Sequence, residues 1–143
     1  MPLLNYRTTV PVHRTVSEIH GLLVEAGARQ IGTEYDGAGT PTGVRFVTET
    51  VAGRRAFTLP VTARRVQAVL EREKVDARLR TPEHSQRVAW RIVKDWVEAQ
   101  MAIIRTEMVT LDQVMLPYMK AGPAGETVYE MYRNEQLALP SAG

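Results

Sequence analysis

The stretch Gln86-Arg-Val-Ala-Trp90-Arg-Ile-Val-Lys94-Asp-Trp-Val-Glu-Ala-Gln100-Met-Ala-Ile-Ile104-Arg-Thr-Glu-Met108 contains neither proline nor glycine and is dominated by helix formers, so it is expected to form one long helix. Setting its residues about 100° apart places Val88, Ile92, Trp96, Val93, Ile104, Val97, Trp90, Met108 and Met101 in one apolar arc of about 220°. Lys94, Arg87, Arg105, Glu98, Arg91 and Asp95 share the remaining strip, and Glu107 falls among the apolar residues. A helix lying on one side of a core needs little more than about 100° of apolar surface. A second shoulder made of Trp90, Val97, Met101, Ile104 and Met108 must therefore be covered by something else. Either the chain's own C-terminal segments cover it or a second copy does. Clusters of Trp, Met and Tyr are typical of interface cores, which favours a homo-oligomer.

Downstream, Thr110-Leu-Asp-Gln113 is a capping-box pattern leading into Val114, Met115, Leu116, Tyr118 and Met119, and Val128 to Leu137 has a weaker helical pattern. Upstream, Val75 to Ser85 is polar, contains Pro82 and reads as a loop. Thr62 to Lys74 is expected to be a short helix, with Val66, Val69 and Leu70 at helical spacing beside Arg64, Arg65 and Arg72.

The first part of the chain alternates differently. Val44, Phe46 and Thr48 share one face of an expected strand, and Phe57, Leu59 and Val61 share one face of the next, with Ala52-Gly53 between them as a hairpin turn. Arg29 to Tyr35 is a further strand, and the segment 36–43 is rich enough in Gly and Pro to be a turn. Its glycines do not make a phosphate loop, since no Lys-Ser/Thr follows them. Thr15-Val-Ser-Glu18 has the form of a capping box, followed by Ile19, Leu22, Leu23 and Ala26 at helical spacing and closed by Gly27. Tyr6 to Val12 is rich in β-branched residues and is expected to be an edge strand, Pro11 having no amide to give a ladder. The whole is predicted to be a single α+β domain: residues 1–61 in the order strand, helix, strand, strand, strand as a small antiparallel sheet, and residues 62–143 mainly helical, with the long helix packed on the sheet.

A length of 143 residues suits one such domain, and 44% hydrophobic with 24% charged residues is ordinary globular usage. Absence of cysteine removes disulfides and thiolate chemistry and fits a reducing compartment. The start of the sequence lacks the pattern of a secretory signal, and no apolar run approaches the roughly 20 residues of a membrane span, so a cytoplasmic location is expected.

Charge is distributed unevenly. Residues 1–53 carry four cations against five anions, 54–94 carry eleven against four, and 95–143 carry three against seven. A basic middle of this kind raises local phosphate concentration, which points to nucleic acid as a partner, with Arg54, Arg55, Arg64, Arg65, Arg87, Arg91 and Lys94 as candidate contacts. Pairing between the basic and acidic segments is the structural alternative. Enzyme signals are sparse: His13, His20 and His84 have no metal-ligand spacing, Glu34-Asp36 and Glu71-Glu73 read as solvated charge, and no nucleophile or nucleotide fingerprint occurs. Neither a metal nor a cofactor is expected. A self-assembling interaction subunit is the alternative to a nucleic-acid binder, and a small enzyme the third possibility.

Two stretches, Tyr6-x-Thr-Thr-Val-Pro-Val-x-Arg-Thr-x-x-Glu-Ile-x-x-Leu-Leu-x-x-x-Gly-Ala28 and Ala89-Trp-Arg-Ile-Val-Lys-Asp-Trp-Val-Glu-Ala99 running on to Leu116-Pro-Tyr118, resemble a family of small uncharacterised proteins of bacteria, phages and mobile elements. That resemblance implies a setting in phage or mobile-element DNA biology and carries over no catalytic or binding residue. The order helix, three strands, helix is also similar to that of double-stranded RNA-binding domains and of single-strand-annealing proteins, an analogy of architecture that does not fix function.

Overall fold

The computed structural model describes residues 1–142, in which helices pack on one face of a three-stranded antiparallel sheet ordered β1-β2-β3. The elements are α1 (Val12–Glu25), β1 (Gln30–Tyr35), β2 (Pro41–Thr50), β3 (Gly53–Pro60), α2 (Ala63–Arg72), α3 (Pro82–Arg105), α4 (Leu111–Met115) and α5 (Val128–Arg133). Short 3-10 turns occupy Ala77–Leu79 and Leu116–Tyr118.

The alternation expected for the hairpin is present. Val44, Phe46 and Thr48 of β2 and Phe57 and Leu59 of β3 are buried, and Phe46 faces Phe57 across the ladder with the rings stacked at 4.9 Å. Gly53 takes a φ of 98°, open to glycine at little cost, where the chain re-enters the sheet. Gly43 is needed for a different reason: a β-carbon there would lie 2.8 Å from the Leu59 carbonyl oxygen. Lys120 donates its amide to the Ala56 carbonyl, so a piece of the C-terminal segment covers part of the free edge of β3.

The expected edge strand Tyr6 to Val12 is not a strand. Asn5 adopts a φ of 65° within a turn, the Thr8 hydroxyl accepts the Val10 amide, and Pro11 leads directly into α1 at Val12. The residues just before the β-branched run, Asn5 and Tyr6, are held against α3 instead of a sheet. His84 Nε2 donates to the Tyr6 carbonyl at 2.6 Å, and Asn5 Nδ2 donates to Asp95 at 2.8 Å. Because α1 starts a turn earlier than expected, Thr15 is inside the helix and buried, and its predicted capping box is not formed.

The predicted long helix is present but shifted toward the N-terminus. Thr81 caps it by accepting the His84 amide, and Pro82 occupies the first turn, where a missing N–H costs nothing. The expected loop therefore ends at Thr81 instead of Ser85. At the other end the Thr106 hydroxyl donates back to the Ile103 carbonyl and Glu107 turns left-handed with a φ of 64°, so the helix stops before Met108.

Around the first half of α3 much of the apolar girth is taken up by the chain itself. Val88, Ala89 and Trp90, consecutive and hence pointing in three directions, are all buried. Trp90 and Val97 join Ile19 and Leu23 of α1, the inner face of the sheet, and Leu111 and Met115 of α4 in one core. Trp96 packs edge-on against Tyr118 at 5.9 Å.

Candidate nucleic-acid interface

Seven cations were expected to form one contact surface, and the fold separates them. Arg91 Nη1 donates to Glu18 and Thr15 of α1, with 16% of its side chain exposed. Lys94 pairs with Glu98 at 2.7 Å and is 14% exposed. Arg87 donates to His84 Nδ1, tying its guanidinium to the N-terminal segment that His84 also holds. On the cationic strip of α3, Arg91 thus bridges to α1, while Lys94 and Arg87 are held by Glu98 and His84 of α3 itself.

Arg54 and Arg55 lie at the hairpin end of β3, where Arg54 pairs with Glu49 at 3.0 Å and Arg55 donates to the Arg54 carbonyl. From Arg55 the strand runs five residue steps to Pro60, about 17 Å, before α2 begins. The hairpin arginines and the α2 arginines therefore do not share a surface.

What remains is α2. Leu70 is buried and Val66 and Val69 half-buried, which turns Arg64, Arg65, Ala68, Glu71 and Arg72 outward. Arg64, Arg65 and Arg72 are exposed and make no ion pair among the described residues. Arg64, Arg65 and Arg72, together with Glu71, are the i±3 and i±4 neighbours of the small Ala68, and Arg forks suit phosphate oxygens. Sequence periodicity identified Arg64 and Arg65; Arg72 follows from the same spacing once the buried stripe is known.

Next to the N-terminus of α2 lies a groove of about 500 Å³ between β3, the Leu116–Tyr118 turn and α5. Pro60, Pro117, Tyr118 and Tyr129 supply its apolar walls, and Thr58, Lys120 and Glu130 its polar ones. The Thr58 hydroxyl is buried and has no hydrogen-bond partner. Tyr129 and Tyr132 are 52% and 55% exposed, their ring centres 6.1 Å apart. They were expected to help cover the long helix. A single turn of helix has too little polar contrast to reveal which way its aromatics point. Thr127 and Glu130 form a reciprocal capping box for α5, and the hydrogen bond from the Thr127 amide, with that from its hydroxyl, holds the Glu130 carboxyl below its usual range.

Of the residues expected at an interface between copies, Trp90 and Val97 are fully buried within the chain and have no surface to offer a partner. Met101 and Ile104 are half-buried beside Leu22 and Ala26 of α1, around a recess of about 160 Å³. Met108, beyond the helix end, is exposed. Burial holds His20 below the ordinary imidazole range, and its Nε2 lies 3.4 Å from the Thr33 hydroxyl. Among the described residues no three His, Asp or Glu side chains gather as a metal site, and no helix is long and apolar enough to cross a membrane.

No protein-family model matches the chain, and no match is found among the curated proteins or the solved structures.

Proposed function

We propose that this protein is a nucleic-acid-binding accessory module, acting in the cytoplasm in phage or mobile-element DNA biology, with the outer face of α2 as its phosphate contact. The observation that carries the reading is the difference between two sets of cations. Arg91, Lys94 and Arg54 are paired with acids within the fold, whereas Arg64, Arg65 and Arg72 stand exposed on one helix with no ion pair, Glu71 being the one carboxylate that the helix turns outward among them. A protein gains no stability from like charges held together on a surface, so a polyanion is the partner this face suits.

The test is fluorescence anisotropy with labelled single- and double-stranded DNA and RNA at low salt. Arg64→Glu with Arg65→Glu is expected to reduce affinity about tenfold or more, while Arg54→Glu with Arg55→Glu at the hairpin changes it little. Equal loss from both pairs, or no binding by the wild type to any of the four, overturns the reading.

A further inference from the structure

The groove beside α2 combines features that phosphate binding alone does not use. It is flanked by an exposed tyrosine, Tyr129, with a second, Tyr132, within ring-contact distance on the same helix. Lys120 adds a cation to its lining. Pro60, which lines the groove, is four residues from Arg64, so their α-carbons are at most about 14 Å apart. One extended strand can therefore touch the α2 arginines and the groove together.

We propose that the groove receives an unpaired base of a single strand, stacked on Tyr129, while adjoining phosphates lie against Lys120, Arg64 and Arg65. This rests on the nucleic-acid reading above and narrows it to single strands. Every base has a π face, so a tyrosine platform accepts bases without regard to sequence, whereas a paired base inside a duplex has no free face to present. The tilted ring pair on α5 keeps Tyr129 in place at small entropic cost, having few rotatable bonds. Glu130 does not repel the strand's base edge: its carboxylate accepts the Thr127 amide and hydroxyl and faces the field of Lys120 and Arg133. A peptide of apolar and proline residues is the competing occupant by shape, but it has no use for the neighbouring unpaired arginines.

The probes are a labelled single-stranded oligonucleotide of about 12 residues, the same strand with every base replaced by an abasic sugar, and the matching duplex. Wild-type protein is expected to bind the base-bearing strand about fivefold or more tighter than the abasic one. Tyr129→Ala removes that preference, and Tyr129→Phe, which keeps the ring and the packing of α5, retains it. Equal affinity of the wild type for the two strands, or a preference that survives Tyr129→Ala, overturns the base site and leaves the phosphate reading standing. Tight binding of the duplex in preference to the base-bearing strand also overturns it. Absence of binding to all three probes overturns the nucleic-acid reading itself.

Discussion

Arg91 shows what a charge count can and cannot say. From sequence it is one of eleven cations in a basic segment, and its partner, Glu18, is 73 residues away on another helix. Periodicity places Arg91 on the strip of α3 that carries most of its charges. That Arg91 faces α1 instead of solvent depends on the packing of two helices, which no local pattern encodes. Thr15 was misread for the same reason: its spacing to Glu18 satisfies a capping box, yet both side chains answer Arg91. Replacing Arg91 by Met is expected to lower stability by about 1 kcal/mol, because Glu18, one-third exposed, loses its shorter charged contact and keeps only the exposed Arg14 at 3.6 Å. Urea denaturation measures this. Nucleic-acid affinity of the folded variant should be unchanged, and a loss of binding at unchanged stability would contradict the structural role given to Arg91.

At the scale of elements, the strands of the hairpin and α2 were legible because one face of each is buried and the other wet, which imposes period 2 or period 3.6 on the sequence. The boundaries of α3 were less legible. Pro82 suggested a loop, but proline is well tolerated in a first turn and Thr81 supplies the cap. Tyr6 to Val12 has strand composition and lacks a strand's neighbour, so its backbone partners come from α3 and from local turns. The α5 turn, six residues long, depends most on its capping box. Glu130 has its carboxyl lowered from 4.5 by the Thr127 hydrogen bonds, so its contribution is complete above that pH and is lost as pH falls through the lower folded value. Amide exchange of α5 measured between pH 6 and roughly pH 3 is therefore expected to accelerate, after correction for intrinsic rates, before that of α1 does. A Glu130→Gln variant should show much less of that pH dependence. Parallel loss of protection in α1 and α5 would contradict the account of this cap.

At the scale of the whole molecule, the excess apolar girth of the long helix was legible and its consequence was open between a second copy and the chain's own segments. Burial of Val88, Ala89 and Trp90 in succession, with α1, the sheet and α4 around the core, answers for Trp90 and Val97 within one chain. The uneven charge was also legible, while its sorting into matched pairs on α3 and unmatched arginines on α2 was not, since a helical wheel does not show what the wheel touches. The central claim is that the unmatched set, Arg64, Arg65 and Arg72, aided by Lys120, is where phosphate is met. The slope of log affinity against log salt for a single strand tests this most directly. Four contacts predict a slope of about −2 to −3, flatter by about 1.4 when Arg64 and Arg65 are both replaced by Glu or Gln. A wild-type slope near zero, or one unchanged by losing those two arginines, would contradict it.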